Sequence, residues 1–345
     1  MSGLNTEQLD ELEECVDELL EEPWDKGKGR PRELTFREAL IVACGYARNN
    51  ITEEVWAEIF DVGQSTISRY ITFLTPLIDQ ATAGFRPSAE EAAEATRGAI
   101  TLVDGTLWPC WSWTAKRELW SGKYKTTGHG SLIITNLAGR ITFVSEPVTG
   151  NRHDMAKLKG AECETILKAA GGVFGDKGFI GTDYITTPVR KPEGRELYMR
   201  EHDYNNQISS FRAPVERAVA TLKTWRILFT DYRRPLGTFL SSFRAAIGLY
   251  FFKETFASAS LSTCSSGKQA VRRPHAAHHG PRSGADVLGT SRELGQQVAG
   301  YGGGLAAFLR HAHEMAVPKG TGATAASRAI WGQSGLRYDP SGLLL

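Results

Sequence analysis

Three acidic residues stand where an unpaired charge is costly, so they are the first candidates for chemistry. Asp104 follows the apolar run ITLV, and Asp176 follows the short apolar run GVFG. Glu216 lies in FRAPVER, where Pro214 predicts the first turn of a helix. Singly, each acid is better explained as a turn residue or a salt-bridged surface acid. Since a charge at the end of a buried strand needs a partner or a metal ion, the three together indicate a shared site.

Three convergent carboxylates have a defined chemical use. Cleaving or joining a phosphodiester requires charge neutralisation at both the attacking and the leaving oxygen, which two metal ions about 3.5 to 4 Å apart supply. Magnesium is held by a few carboxylates together with water and phosphate oxygens. The acids therefore predict a magnesium site for phosphodiester chemistry, provided that the fold brings them together.

The segments that would position these acids are first β-rich and then helical. A helix is expected over residues 154–169, a buried strand over 172–176, and a long helix from Phe211 to about Phe229. The order βββαβ followed by helices predicts an α/β protein with a ribonuclease-H-like mixed sheet and flanking helices. The three leading strands, expected to be antiparallel, are the β-rich runs AITLVDGTLW, SLIITNLAG and RITFVSEPV.

Five motifs, in this order, resemble the DDE transposases of bacterial insertion sequences. The resemblance extends over roughly residues 35 to 256 and implies a catalytic domain in which Asp104, Asp176 and Glu216 are both the catalytic and the metal-binding triad. It also implies two Mg²⁺ (or Mn²⁺) ions as cofactors. The motifs are VDGTL around Asp104, SGKYKTTGHG at 121–130, GNRHD at 150–154, GDKGFIG at 175–181 and VERAVATLKTWRIL at 215–228.

The family's C-terminal signature of tyrosine, arginine, glutamate and lysine is matched at its last three positions. Arg212, Glu216 and Lys223 stand at those positions, whereas Ser209 replaces the tyrosine. Helical spacing places the three matching side chains on one face, from which Arg212 and Lys223 could contact a DNA backbone. An ordinary ion pair between Arg212 and Glu216, four residues apart, is the alternative.

A basic, aromatic segment separates the first two predicted strands. Phosphate contact by Lys123 and Lys125, with aromatic stacking on an unpaired base, is one interpretation. A solvated face with a few core aromatics is equally consistent. Just before the predicted helix at 154–169, His153 and Asp154 leave open a helix cap or an auxiliary role at the site. The segment's members are Trp111, Trp113, Lys116, Arg117, Trp120, Lys123, Tyr124 and Lys125.

The front of the chain predicts a helix-turn-helix. In EEVWAEIFDVGQSTISRYITFL, Ala57 provides the small residue where two helices cross, Val62 the buried turn residue and Ile67 the apolar anchor. Asp61 replaces the usual turn glycine, so the turn must accept a left-handed residue. A three-helix packing module without DNA contact is the alternative. The residues expected to face the major groove are Gln64, Ser65, Thr66, Ser68 and Arg69.

Charge is distributed unevenly along the 345 residues. Residues 1–25 carry ten acidic and no basic side chains, whereas the rest of the chain has 40 basic and 29 acidic ones, a net charge of +11. That excess suits a polyanionic partner such as double-stranded DNA. Residues 5–22 predict an amphipathic acidic helix, interpreted as a packing or self-association helix or as a strip that covers a basic DNA surface.

Composition limits the remaining function classes. The five cysteines are far apart with no Cys-x-x-Cys pair, so neither a disulfide framework nor a zinc site is indicated. No apolar stretch approaches the ~20 residues that cross a bilayer, so we expect a cytoplasmic protein without a membrane partner. The predicted domains are the acidic helix at 1–26, the helix-turn-helix domain at 27–97, the catalytic domain at 98–257, and a weakly ordered tail at 258–345.

The predicted function is DNA transposition. Hydrolysis at the ends of a mobile element would free a 3′ hydroxyl that attacks target DNA, without a covalent enzyme intermediate or ATP. A homo-oligomer is expected, because two element ends must be held together. The alternatives are a domesticated nuclease that cuts without integrating, and a DNA-binding regulator whose catalytic domain is inactive.

Overall fold

The computed structural model describes residues 1–25, 27, 31–111, 116–159 and 162–263, with side chains described as far as residue 256. Two predictions therefore lie outside or almost outside the described residues. They concern Trp113 and the tail at 258–345.

Four helices form the front of the molecule, as the sequence predicts: α1 (Thr6–Asp17), α2 (Phe36–Asn49), α3 (Glu53–Phe60) and α4 (Gln64–Ala81). Capping boxes start α1 at Asn5 and α2 at Thr35. Each box satisfies backbone donors that the first helical turn leaves unpaired. Asp61 adopts φ 52° between α3 and α4, which is the left-handed turn that the helix-turn-helix requires.

A mixed sheet of six strands follows α5 (Ala89–Thr96). The central strands β1 and β3 pair antiparallel, β4 and β5 pair antiparallel with β3, and β6 runs parallel to β1 on its other side. The three predicted antiparallel strands and the later buried strand are thus confirmed. The strands are β1 (Ile100–Pro109), β2 (Trp120–Ser121), β3 (Thr126–Asn136), β4 (Ile141–Val144), β5 (Val148–Thr149) and β6 (Gly172–Phe174).

Helices cover both faces of the sheet, which makes this the predicted α/β, ribonuclease-H-like arrangement. The face with Leu102 and Phe174 packs against Tyr204, Ile208 and Val215 of α8 (Met199–Leu222). Alternate residues of a strand point to opposite faces. Accordingly, Val103, Leu132 and Ile134 pack on the other side against α6 (Asp154–Lys159) and α7 (Cys163–Ala169).

Helix α8 corrects one expectation. It begins at Met199 rather than Phe211, so Pro214 lies in the helix interior and Glu216 is not in a first turn. Proline in a helix removes one backbone hydrogen bond and crowds the preceding turn. Here the early start is secured by Glu201, whose carboxylate accepts from the Tyr198 amide at 2.8 Å and pairs with Arg195. The helix ends at Leu222, and a short 3-10 helix follows at Arg226–Leu228.

The last described helix, α9 (Phe239–Thr263), joins the front helices to the sheet. It packs closely against the end of α4 at Gly248. A β-carbon at this position would lie only 2.0 Å from the Thr82 hydroxyl oxygen. Arg234, before α9, pairs with Glu53 of α3 and donates to Thr72 of α4. One apolar core therefore includes residues of α2, α4, α9 and the sheet. None of the helices in the described part of the chain has the length and apolar character needed to cross a bilayer.

Candidate active site and DNA-binding surface

Asp104 and Asp176 lie at equivalent positions of neighbouring strands. The parallel pairing of β1 with β6 matches Ile100 to Gly172 and Leu102 to Phe174. Continued by two residues, this register sets Asp104 beside Asp176, just beyond the end of β6. The charge of Asp176 acts on Asp104, where it raises the pKa. The sequence predicted Asp104 at a strand end, but β1 continues through it to Pro109. The two acids are nevertheless brought together, which chain order alone does not reveal.

Asp104 is a largely buried carboxylate with a cationic partner. Burial, opposed by Arg212 and assisted by the charge of Asp176, raises its pKa to about 6. Arg212 Nη2 of α8 donates to Asp104 Oδ1 at 3.1 Å. The expected alternative, a pair between Arg212 and Glu216, is replaced by this long-range ion pair. Arg212 Nε is buried and has no hydrogen-bond partner within the described residues.

Asp176 is partly exposed and starts a short 3-10 helix, Lys177–Phe179. Its Oδ1 accepts from the Gly178 amide at 2.8 Å, and its Oδ2 lies 3.3 Å from Lys123 Nζ. One carboxylate oxygen is therefore fixed by the backbone, while the other faces a cation.

Asp154 is part of the same cluster. The sequence alone did not decide between a helix cap and an auxiliary role for this residue. Its side chain is 5% exposed. Its Oδ1 accepts from Lys157 Nζ at 2.9 Å, and its Oδ2 accepts from Lys123 Nζ at 3.0 Å. Burial opposes ionisation of Asp154, but the two lysines together lower its pKa. The helix-cap interpretation fails, because the carbonyl of His153 accepts the first amides of α6. The signal available in the sequence was a lysine three residues after the aspartate, at 157.

Two glycines give Asp154 its room. A β-carbon at Gly105 would lie 2.2 Å from Asp154 Oδ1, and one at Gly178 would lie 2.9 Å from Asp154 Oδ2 and 2.8 Å from Asp176 Oδ1. Such separations are far below van der Waals contact, so any side chain at these positions would displace a carboxylate. The close approach of these carboxylates explains why glycine stands at 105 in the VDGTL motif and at 178 in the GDKGFIG motif.

The remaining predicted site residues lie around this cluster. Lys223, at the end of α8, is partly buried. Burial lowers the pKa of its ammonium group, and the negative charge of Asp104 opposes this effect only in part. Tyr124, exposed in the basic segment, donates its hydroxyl to the Gly105 carbonyl at 2.8 Å. Lys125 is exposed and has a left-handed backbone, φ 55°.

Glu216 is exposed on α8, one turn beyond Arg212. The described residues contain no group of three or more His, Cys, Asp or Glu side chains placed to hold a metal ion. Asp104 and Asp176 nevertheless fit a divalent cation, because they are adjacent hard oxygen ligands. Glu216 as the third ligand stays a prediction.

The helix-turn-helix presents most, but not all, of its predicted contact residues. Gln64, Ser65 and Arg69 are exposed on α4, and Ser68 is half-buried. The expectation for Thr66 needs correction. Thr66 is buried, because it lies on the inner side of α4, and its hydroxyl donates to Glu33 at 2.8 Å.

Comparison with known proteins agrees with this architecture. Residues 103–247 match the family model described as DDE superfamily endonuclease, and residues 32–83 match the helix-turn-helix of DDE superfamily endonuclease. The first match begins one residue before Asp104 and includes Asp176 and Glu216. No solved structure matches the chain.

Two relatives are transposases by name. A putative transposase for insertion sequence element IS112 from Streptomyces albus G is 29% identical over 232 residues, which cover 66% of this chain and 83% of the relative. A probable transposase for insertion sequence element IS702 from Microchaete diplosiphon is 22% identical over 262 residues, which cover 73% of this chain and 92% of the relative. The helix-turn-helix and the mixed sheet of this chain therefore lie in regions that match DDE superfamily endonucleases, and the chain is similar to insertion-sequence transposases.

Proposed function

We propose that this protein cleaves DNA at the ends of a mobile element and transfers the freed 3′ ends into target DNA. The observation that carries the proposal is the adjacency of Asp104, within β1, and Asp176, just after β6, each facing a cationic side chain. Two adjacent, partly buried carboxylates are costly to keep ionised unless cations lie beside them.

The proposed metal ligands are Asp104, Asp176 and Glu216. When bound, Mg²⁺ or Mn²⁺ supplies charge neutralisation at the attacking and leaving oxygens of the phosphodiester. Asp104 and Asp176 are held by the sheet and by the Gly178 amide, so they offer a nearly preformed pair of oxygen ligands. Glu216 is the third carboxylate, contributed by the helix that also carries Arg212.

The protein's own cations bind the DNA strand in this proposal. Arg212 is paired with Asp104 and adds positive charge beside the carboxylates, where a phosphate oxygen would lie. Lys123, Lys125 and Lys223 add positive charge around the carboxylates, and such contacts position a strand without reading its sequence. Sequence is read by Gln64, Ser65, Ser68 and Arg69 of α4 in the major groove of the element end.

Transposition also requires two element ends to be held together, so we propose that a homo-oligomer is the active form. The two alternatives make different predictions. A nuclease of this fold would cut the element end without joining it to a target, and an inactive regulator would bind the end without cutting it.

The test uses the purified full chain, a labelled duplex carrying the element end, and a supercoiled target plasmid. With Mg²⁺, we expect cleavage at the element end followed by joined products. Asp104→Asn, Asp176→Asn and Glu216→Gln should each lose both steps while binding the duplex nearly as well as the wild type. Asp183→Asn, an exposed acid seven residues after Asp176, is the matched control. Cleavage that survives Asp176→Asn would refute the proposed site.

A further inference from the structure

The cation nearest to Asp176 is the ammonium group of Lys123. Its Nζ lies 3.3 Å from Asp176 Oδ2 and 3.0 Å from Asp154 Oδ2, so it bridges a candidate metal ligand and a buried acid. Asp104, another candidate ligand, is paired in a similar way with Arg212. Each carboxylate is therefore neutralised by a side chain of the protein itself.

We propose that Lys123 is a built-in counter-ion, tethered by Asp154, that neutralises Asp176 in the metal-free protein and gives up this contact when a divalent ion binds. The inference rests on the proposed function, because it takes Asp104 and Asp176 to be metal ligands. It adds a residue that competes with the metal and a residue that positions the competitor.

The two lysines on Asp154 differ in a way that suits this exchange. Lys157 is as buried as Asp154, with both side chains 5% exposed, and its ion pair is fixed inside the fold. Lys123 is 48% exposed and reaches Asp154 from the segment between β2 and β3. Removing a buried partner leaves an uncompensated charge, whereas a half-exposed ammonium group can be rehydrated. Lys123 is thus the cation that can leave.

Geometry also separates the tether from the exchangeable contact. Lys123 Nζ is closer to Asp154 than to Asp176, and Asp154 is locked between Gly105 and Gly178. An ammonium group and a divalent ion cannot share one carboxylate oxygen without strong repulsion. When the ion binds Asp176, Lys123 therefore keeps Asp154 and releases Asp176, which leaves its charge beside the site for a DNA phosphate.

The experiment measures Mn²⁺ binding to the full chain by calorimetry and by electron paramagnetic resonance, without DNA. Lys123→Gln removes the competitor, so we expect it to bind Mn²⁺ roughly fivefold to tenfold tighter than the wild type. Its melting temperature should also rise more on addition of Mn²⁺. Lys177→Gln is the control, because Lys177 is exposed, adjoins Asp176 in sequence, and forms no ion pair within the described residues. That variant should bind Mn²⁺ at nearly the wild-type affinity.

The possible outcomes distinguish failure of this inference from failure of the proposed function. Unchanged or weaker Mn²⁺ binding by Lys123→Gln would overturn the counter-ion role, and so would an equal gain in Lys177→Gln, which would reflect general electrostatics only. Asp176→Asn separates this failure from failure of the proposed function. If Asp176→Asn weakens binding but Lys123→Gln does not strengthen it, only the inference is wrong. If the wild type binds no Mn²⁺, or if Asp176→Asn binds as well as the wild type, both are wrong.

Discussion

Gly105 lies against Asp154 so closely that a β-carbon at residue 105 would be 2.2 Å from Asp154 Oδ1 and 2.7 Å from Asp154 Cγ. The two residues belong to different elements, the central strand β1 and the start of α6. Gly105 follows Asp104 directly, so the same short segment of β1 carries a candidate ligand and makes room for the tether of Lys123.

Gly105→Ala should therefore destabilise the protein and disturb the site. Forcing an extra methyl group into a packed interior costs about 1 to 3 kcal/mol. Urea unfolding followed by circular dichroism measures this loss. Gly172→Ala in β6 is the control, because a β-carbon there would meet nothing within 4 Å. Equal stability of the two variants would mean that Asp154 moves aside at no cost.

The raised pKa of Asp104 predicts a pH-dependent stability. Burial, opposed by Arg212, moves this pKa from its ordinary 3.8 to about 6, so the folded protein holds the proton more tightly than the unfolded chain. The stability from this group is complete below about pH 4 and is lost as pH rises through 6. The unfolding free energy of Asp104→Asn, relative to wild type, should therefore rise by about 2 kcal/mol between pH 4 and pH 7.

Urea unfolding of both proteins at several pH values within that range provides the measurement. The loss of the Arg212 contact shifts the variant by a nearly constant amount and does not alter the trend. Asp183→Asn, an exposed acid, should run parallel to the wild type. A constant difference between Asp104→Asn and wild type would contradict the raised pKa.

Arg212 and Asp104 should be energetically coupled. Their ion pair is mostly shielded from water, with side chains 12% and 18% exposed, so removing one partner leaves the other charge poorly compensated. In a double-mutant cycle with Arg212→Gln and Asp104→Asn, we expect a coupling of about 1 to 3 kcal/mol in the unfolding free energy. Arg217→Gln, on the exposed side of the same helix, should show almost none with Asp104→Asn.

Local patterns predicted the elements well, but tertiary contacts decided the site. The apolar runs before Asp104 and Asp176 indicated strand ends. Asp176 does follow β6, but β1 continues through Asp104 to Pro109. Their pairing, with an offset of 72 residues, has no local signal. Likewise, spacing suggested Glu216 as the partner of Arg212, four residues away, whereas the ion pair joins Arg212 to Asp104, 108 residues away.

The predicted start of α8 was wrong for a different reason. Pro214 favours a first helical turn, but a helix already under way can tolerate proline when tertiary packing supports it. Val215 beside it is fully buried against the sheet, as is Ile208 earlier in the helix. Burial of this apolar face outweighs the lost hydrogen bond, and burial is not visible in a local sequence pattern.

The helix-turn-helix offers a test that separates DNA contact from folding. Arg69 is exposed and uses its Nε and Nη2 atoms within its own helix, on the Ser65 carbonyl and the Thr66 hydroxyl. Its Nη1 has no partner within the described residues and can reach DNA. Arg69→Ala should weaken binding of the element end, measured by fluorescence anisotropy. If the contact is to a phosphate, the slope of log affinity against log salt should fall by about 1.

Thr66→Val should have the opposite profile. Because Thr66 is buried and donates to Glu33, replacing its hydroxyl should cost about 1 kcal/mol of stability and leave DNA affinity nearly unchanged at a temperature where the variant is folded. The control for Arg69→Ala is Arg97→Ala, at the end of α5, which also removes one exposed positive charge. If Thr66→Val weakened DNA binding as much as Arg69→Ala without loss of stability, α4 would have to rotate on DNA and expose its inner side.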